Sequence, residues 1–169
     1  MTGDEADTDR ADQSATTDPE SLRTIAAYQF GAGAGEILFP DPAALTITRT
    51  NSGRPRQIKT DGGRVATYGT DGRFRLGLVG AKRLLAGFDR DAYQVVVGSE
   101  SEPFVREGRN VFAKFVVSAD DAIRPRDEVL VRHEDGDLLG VGRAELAGTD
   151  MLTFETGMAV KIRHGNPEQ

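Results

Sequence analysis

The sequence contains no cysteine among its 169 residues. Disulfide bonds, cysteine-ligated zinc, iron–sulfur clusters and cysteine nucleophiles are therefore excluded. Only two histidines occur, His133 and His164, so a histidine-rich metal site or a Ser-His-Asp triad has few residues to draw on. No apolar run approaches the ~20 residues that a membrane-spanning helix needs, and the first ten residues lack the basic start and apolar stretch of a secretory signal. These absences predict a cytoplasmic protein with no membrane partner, no metal and no cofactor.

Charge is distributed unevenly along the chain. The formal net charge is −6, and residues 1–21 alone carry −6, with seven acids and one base. The rest of the chain is neutral, but residues 49–90 hold ten bases and only three acids. A basic stretch on a neutral body is typical of a surface that binds a polyanion. The alternative is a solvated face whose charges are paired by acids distant in the sequence.

The N-terminal segment predicts a disordered acidic tail over residues 1–21, because it has almost no apolar residues to bury. Order is expected from residue 22, in a short helix over residues 22–30 that runs into the segment GAGAGE. This segment resembles the glycine fingerprint of dinucleotide-binding proteins, but no strand precedes it, and Pro40 and Pro42 follow. A tight backbone turn is therefore favoured over nucleotide binding.

Residues 44–78 have the pattern of short β-strands separated by Asn-Ser-Gly, Asp-Gly-Gly and Asp-Gly turns. In the last of these strands Arg73 and Arg75 share one face, and the apolar residues share the other. Arg54 and Arg56 likewise share a face of an earlier strand. The pattern therefore predicts a sheet surface on which several guanidinium groups converge. The predicted core residues of the last strand are Phe74, Leu76 and Leu78.

A second unit is predicted from residue 93, after a helix over residues 80–88. Ser99 and Glu102 have the spacing of a capping box, which would start a helix over residues 100–107 that Gly108 ends. The remaining predicted elements are strands over residues 93–97 and 110–117, a hairpin over residues 128–133 and 138–146, a short helix capped by Thr149, and a strand over residues 158–164. Short strands with glycine-rich turns predict a small, nearly closed β structure with helices at its openings.

Two groups of residues have both a functional and a structural interpretation. His133 lies near Asp135 and Asp137, which resembles a metal cluster, but all three coincide with an Asp-Gly turn, and a solvated hairpin is favoured. Three phenylalanines can stack on nucleobases, but their spacing favours a place in the core. They are Phe112, Phe115 and Phe154.

The second unit resembles a PUA domain, an RNA-binding pseudo-barrel. The motifs that carry this resemblance are VFAKFV after a glycine turn, IRPRDEVLV, and the closing AVKIRHG. The region before it, with YQFGAGAGEILFP and RTNSGRPRQIKTDGGRVATYGTDGRFRLGLVGAKRLL, resembles the domain that precedes the PUA domain in archaeal tRNA-guanine transglycosylase and archaeosine synthase. The resemblance implies an α+β protein, with a small α/β pre-PUA unit over residues 22–92 and a PUA β pseudo-barrel with short helices over residues 93–166.

In PUA domains, RNA runs along the first helix, the glycine turn after it and the last strand. The resemblance therefore implies RNA contacts at Gly108, Arg109, Asn110, Lys161, Arg163 and His164. Gly108 has no Cβ, so a phosphate or ribose can approach its backbone closely. Lys161 and Arg163 lie two apart on a strand, on one face, and can neutralise phosphates. A second RNA surface is predicted on the basic sheet of the first unit, at Arg54, Arg56, Lys59, Arg73 and Arg75.

The enzymes of this family carry a catalytic barrel and a Cys/His zinc site, and this sequence has neither the barrel nor any cysteine. The resemblance therefore implies a non-catalytic RNA-binding protein, with tRNA as the expected ligand, in tRNA modification of the archaeosine type. Phosphate neutralisation predicts that binding weakens steeply with salt. The alternative is a protein-interaction subunit that docks to a separate tRNA-modifying enzyme.

Overall fold

The computed structural model describes residues 19–53, 55–88 and 91–167. Arg54 and most of the predicted tail lie outside the described residues. Helix α1 (Pro19–Phe30) begins three residues earlier than predicted, because proline is favoured in the first turn of a helix. No helix in the described ranges is long and apolar enough to cross a membrane.

The first unit is an antiparallel sheet covered by helices. Its strands lie side by side in chain order, as expected when tight turns connect them. These strands are β1 (Thr46–Arg49), β2 (Pro55–Thr60), β3 (Gly63–Tyr68) and β4 (Phe74–Leu76). The helices are α1, α2 (Ala34–Leu38) and α3 (Leu78–Gly87). Residues 31–33 of the GAGAGE segment form the turn between α1 and α2, and its last three residues begin α2. Strand β4 is left at one edge of the sheet.

The second unit is a nearly closed barrel of six strands in the order β6-β10-β9-β8-β5-β7. Only β5 and β8 pair in parallel among the described strands. The strands are β5 (Gln94–Val97), β6 (Val111–Phe112), β7 (Val116–Ala119), β8 (Glu128–His133), β9 (Leu138–Ala144) and β10 (Met158–Gly165). Two short helices accompany them, α4 (Glu102–Arg106) and α5 (Gly148–Thr153). A mixed α and β fold with a barrel-like second unit confirms the predicted fold class.

Three local predictions in this unit are wrong. Residues 110–117 are not one strand, because the 3-10 helix Ala113–Phe115 carries the chain from edge strand β6 to the opposite edge strand β7. The capping box is absent from α4, since the Ser99 hydroxyl lies 2.8 Å from Nε2 of His133 instead. Helix α5 begins before Thr149, because a hydrogen bond from the Gly148 N–H to the Ile123 carbonyl fixes its start.

The apolar core is continuous between the two units. One buried cluster joins Phe30 and Phe74 of the first unit to Leu130 and Val141 of the barrel. A second cluster fills the barrel itself, around Val95, Val131 and Val160. Because each large buried side chain contributes about 1.5–3 kcal/mol, the shared cluster holds the first sheet firmly against the barrel. The seam between them positions the site described next.

Candidate nucleic-acid interface

A groove of about 840 Å³ lies along the seam, where the β4 region faces β9 and β10. Its charged lining consists of the bases Arg73, Arg75, Arg126, Arg143, Lys161 and Arg163 and the acids Asp71, Glu128 and Glu145. The lining therefore has a formal charge of +3 in a chain whose net charge is −6. We call this cavity the seam groove.

The strand register places charged side chains in one row across the floor of the seam groove. Arg143 of β9 lies opposite Glu128 of β8 on one side and opposite Lys161 of β10 on the other. The Arg143 guanidinium is 2.9 Å from Glu145 and half exposed. Lys161 is exposed and makes no side-chain hydrogen bond or ion pair within the described ranges. Because like charges directly opposite each other destabilise a sheet, the Arg143–Lys161 pair favours a bound anion.

Strand β4 supplies the opposite wall. Arg73 and Arg75 alternate with the buried Phe74 and Leu76, which confirms the predicted inward-facing positions of these two apolar residues. Arg73 donates to Asp127 Oδ1 at 3.1 Å, while the Arg75 guanidinium is 3.9 Å from the Asp71 carboxylate. Both arginine side chains remain more than two-fifths exposed, so both can contact a ligand in the groove.

Arg126 and Arg143 are groove residues that the sequence analysis missed. Arg143 left a signal, because it is the one charged residue of β9 and occupies the exposed position in that buried strand. The sequence gives no comparable indication for Arg126, which lies in a loop. Its position depends on a φ of 78° and on a hydrogen bond from its N–H to the Ala144 carbonyl. Its side chain is exposed, with no ion pair to any residue the structure describes.

Arg163 lines the groove but is already occupied. Its guanidinium donates to both carboxylate oxygens of Glu128, at 2.7 and 2.6 Å, and to the Leu76 carbonyl at 2.7 Å. Glu128 is 6% exposed and also accepts the Leu76 N–H at 2.8 Å. The face shared by Lys161 and Arg163 is present, but the charge of Arg163 is balanced and only Lys161 presents an unpaired cation there. Its assignment as a phosphate contact stays a prediction.

His164 belongs to the seam rather than to an open surface. Its Nε2 is in hydrogen-bond contact with Nη2 of Arg64, which lies on β3 of the first sheet. Burial, followed by the positive charges of Arg64 and Arg163, lowers the pKa of His164 below its usual value of 6.5. The ring is therefore neutral near pH 7 and accepts the Arg64 N–H. It adds no positive charge for a phosphate.

The loop after α4 offers a separate open surface. Gly108 has a φ of 93°, and a Cβ built on it would meet nothing within 4 Å. Arg109 is 68% exposed, and its guanidinium carbon lies 5.6 Å from the ring centre of Phe104. Asn110 is engaged, because its Oδ1 accepts the Ile162 N–H at 2.9 Å. Gly108 and Arg109 are thus accessible, whereas Asn110 fastens the loop to β10.

The predicted second surface is divided by the structure. Arg73 and Arg75 line the seam groove, while Arg56 and Lys59 are exposed on β2 and are not among its described lining residues. Arg54 lies outside the described residues. The structure therefore brings two of these five bases together with Lys161 and places two elsewhere.

His133 and Asp135 form hydrogen bonds within the Asp-Gly turn. His133 Nδ1 accepts the Asp135 N–H at 3.1 Å, and the Asp135 carboxylate accepts the Asp137 N–H at 3.0 Å. That hydrogen bond lowers the pKa of Asp135. In the part of the chain that the structure describes, no three histidine, aspartate or glutamate residues are placed to hold a metal ion.

Two family matches cover nearly all of the described chain. Residues 20–91 match the family described as patch-forming domain C2 of tRNA-guanine transglycosylase. Residues 93–165 match the PUA domain. The boundary between the two matches falls at residue 92, where the first unit meets β5.

Proteins of similar sequence are archaeal transglycosylases. The chain is 49% identical over 149 residues to the tRNA-guanine(15) transglycosylase of Pyrococcus furiosus, covering 88% of this chain and 25% of that protein. It is 44% identical over 149 residues to that of Methanothermobacter thermautotrophicus, covering 88% of this chain and 23% of that protein. The chain thus spans about a quarter of the length of these relatives and matches their C-terminal part.

Solved structures share the fold at lower sequence identity. A hypothetical protein of Pyrococcus horikoshii superposes with a TM-score of 0.64 at 22% identity, covering 91% of this chain and 93% of that chain. A conserved PUA domain protein of Thermoplasma acidophilum gives a TM-score of 0.57 at 22% identity, covering 74% of this chain and 78% of that chain. These structures support the two-unit α and β architecture described above.

Proposed function

We propose that this chain, whose residues 93–165 match the PUA domain and which resembles the C-terminal part of archaeal tRNA-guanine transglycosylases, binds tRNA through the seam groove. The observation that carries the proposal is the Arg143–Lys161 pair, two like charges opposite each other on neighbouring strands. Such a pair costs stability in the free protein, and the ion pair of Arg143 with Glu145 leaves the charge of Lys161 uncompensated. A phosphate between the two side chains converts that cost into binding energy.

The groove suits recognition of an RNA backbone rather than of a base sequence. Its most exposed cations are Arg75 of β4, Arg126 of the loop before β8, Arg143 of β9 and Lys161 of β10. Arginine and lysine contacts to phosphates fix the position of an RNA but carry no sequence information. We therefore expect the protein to recognise the shape of double-stranded or terminal regions of tRNA.

The proposed role is to hold RNA without transforming it. The acids of the seam groove are each paired, since Glu128 binds Arg163, Glu145 binds Arg143 and Asp71 lies near Arg75. None is thus the unpaired carboxyl group that general acid catalysis uses. The relatives are named tRNA-guanine(15) transglycosylases, which supports a role in tRNA modification.

The test is binding to an unmodified tRNA transcript across a salt series. The Lys161→Ala, Arg143→Ala double variant should lose affinity at low salt, and its slope of log K against log salt should fall by about 2. The matched control is Lys82→Ala, an exposed lysine on α3 away from the groove. An Arg56→Ala, Lys59→Ala variant tests the predicted surface on β2. Unchanged binding in the groove variant would contradict the proposal.

A second candidate function, docking to a separate enzyme of tRNA modification, is favoured by an exposed apolar surface. Phe112 and Phe154 are each 47% exposed, so the prediction that they belong to the core is wrong. Val117 and Leu152 are both 51% exposed, and all four residues lie on or within two residues of the 3-10 helix and α5, which pack against each other. Exposed apolar side chains on adjoining elements are typical of a protein interface. The proposed occupant is a separate chain carrying the catalytic part that the transglycosylases hold in one chain.

This docking is tested by affinity purification from cells in which the protein is native, after ribonuclease treatment. Recovery of a transglycosylase in stoichiometric amount, lost with Leu152→Asp and Phe154→Asp and kept with Lys161→Ala, would support the interface. Release of the enzyme by ribonuclease would show that RNA alone bridges the two proteins, and would contradict direct docking. Retention of the enzyme by both aspartate variants would also contradict direct docking at this surface.

A further inference from the structure

Tyr28 is the most exposed large hydrophobic side chain among the described residues, at 90%. The opposite face of α1 is anchored by Leu22, Ala26 and Phe30, which recur every four residues and are almost completely buried. This packing fixes the rotation of the helix and directs Tyr28 away from the core. The fold therefore gains little from an aromatic ring at this position.

Tyr28 borders a cavity that continues from the seam groove. This open cavity has a volume of about 670 Å³, and Tyr28 and Thr24, one helical turn apart, form one side of it. It shares Gln29 and Arg73 with the groove. The Gln29 amide is bonded to both the N–H and the carbonyl of Phe74, at 2.6 and 2.8 Å, so α1 is fixed to β4 beside the cavity. The ring is thus held next to the groove.

The polar groups around the ring are already engaged. Asp127 accepts from Arg73 through one oxygen and from the Arg124 N–H through the other. The Thr24 hydroxyl donates to the Glu20 carbonyl, and the Gln29 amide is committed to β4. These groups already have hydrogen-bond partners within the protein. The face of the Tyr28 ring remains open.

We propose that Tyr28 stacks on an unpaired nucleobase of the bound RNA, whose phosphate lies against Arg73. Aromatic rings beside a basic groove bind single-stranded nucleotides in this way, without sequence preference, because every base has a flat face. The inference rests on the proposed function, since it takes the seam groove as the RNA site. It adds that the ligand includes a single-stranded end or loop next to a helical region.

The experiment compares two RNA hairpins with the same stem, one blunt and one with a short unpaired 3′ tail that contains 2-aminopurine. The wild-type protein should bind the tailed RNA more tightly and quench the fluorescence of the tail. Tyr28→Ala should weaken binding of the tailed RNA between about fivefold and about a hundredfold, the range for one stacked base, and abolish the quenching. Tyr28→Phe should retain both, because the ring is kept.

Controls separate this inference from the proposed function. Lys82→Ala, at an exposed position that lines neither cavity, should leave both hairpins bound as in the wild type. A tail of different sequence should bind equally well. If Tyr28→Ala had no effect, or weakened both hairpins equally, the stacking site would be wrong. The seam groove would still stand if Lys161→Ala, Arg143→Ala lost both hairpins, whereas unchanged binding in that double variant would overturn the proposed function itself.

Discussion

Arg163 and Glu128 form a two-point ion pair, at 2.7 and 2.6 Å, that covers the free edge of the first sheet. Strand β4 is an edge strand, so the outward N–H and carbonyl groups of its residues need partners. The N–H of Leu76 donates to Glu128, and its carbonyl accepts from Arg163. The Gln29 amide does the same for Phe74. Side chains thus replace a neighbouring strand along the seam.

Arg163→Ala should therefore lower the free energy of unfolding. It should weaken RNA binding less than Lys161→Ala does. It leaves the buried carboxylate of Glu128 without its cation and the Leu76 carbonyl without a donor. Because Arg163 retains some solvent exposure, we expect a loss of about 2–3 kcal/mol, at or below the lower end of the range for a broken buried pair. Denaturant unfolding, followed by circular dichroism, measures it as a lower midpoint with the same slope.

The neighbouring residue provides the control for Arg163. Lys161→Ala removes an exposed, unpaired cation from the same strand face and should change stability by less than about 0.5 kcal/mol. Equal stability of the two variants would show that the Arg163–Glu128 pair does not hold the seam. A larger loss of RNA affinity for Arg163→Ala than for Lys161→Ala, measured on folded protein, would restore Arg163 as a direct phosphate contact.

The protein should lose stability as the pH falls below about 6.5, and His164 should account for part of this loss. The pKa of His164 is lowered in the folded state, so below its unfolded value of 6.5 the unfolded chain binds more protons. Stability contributed by the neutral ring is therefore complete above that pH and declines below it. His164→Gln keeps an acceptor for Arg64 but cannot titrate. Unfolding midpoints between pH 7.5 and 5.5 should fall less in this variant than in the wild type, and parallel curves would contradict the assignment.

Features that depend on neighbouring residues in the sequence were predicted correctly. The alternation through Phe74 and Leu76 gave the inward face of β4, and the Asp-Gly pairs gave the hairpins. The seam groove depends instead on long-range pairing, since Arg163 meets a glutamate 35 residues away and Lys161 meets Arg143 across two strands. The pairing of Ser99 with His133 displaced a capping box that its sequence spacing favoured, because a tertiary hydrogen bond competed with it.

Two glycines of the barrel should respond very differently to alanine. A Cβ on Gly142 would lie 2.1 Å from the Lys161 carbonyl oxygen, which is backbone and cannot move aside without disturbing the β9–β10 ladder. Gly142→Ala should therefore destabilise the protein strongly. The added methyl group of Gly108→Ala would contact nothing within 4 Å. This variant should lose only about 1 kcal/mol of stability, because alanine disfavours the left-handed backbone conformation. Thermal unfolding of both variants measures this order, and the reverse order would contradict the β9–β10 register.

Because Gly108→Ala should remain folded, it also tests the predicted contact in the loop after α4. If RNA approaches this backbone closely, the added methyl group should weaken tRNA binding, although no charge has changed. Gly136→Ala is the matched control, since Gly136 also has a positive φ and open space but lies in the hairpin turn. Equal affinities of the two variants would remove Gly108 from the interface.

Deletion of residues 1–18 should raise RNA affinity at low salt. These residues hold six acids and one base, so their removal changes the formal net charge from −6 to −1 and leaves the +3 lining of the seam groove intact. The deletion has to end there, because Pro19–Phe30 is helical and a cut at residue 21 would remove the first turn of α1. Titration with tRNA at increasing salt measures the effect, and the affinities of the full and shortened chains should converge as the Debye length shrinks to about 3 Å near 1 M.

A variant of the undeleted chain, with the six acids of residues 1–18 replaced by asparagine or glutamine, identifies the cause of this effect. If repulsion of the RNA by negative charge is responsible, this variant should match the deletion at every salt concentration. If the deletion alone raised the affinity, bulk rather than charge would be the obstacle. Identical low-salt affinity of all three proteins would show that the phosphates bound in the seam groove are insensitive to the tail. In that case the short-range contacts of Arg143 and Lys161 would dominate the electrostatics of binding.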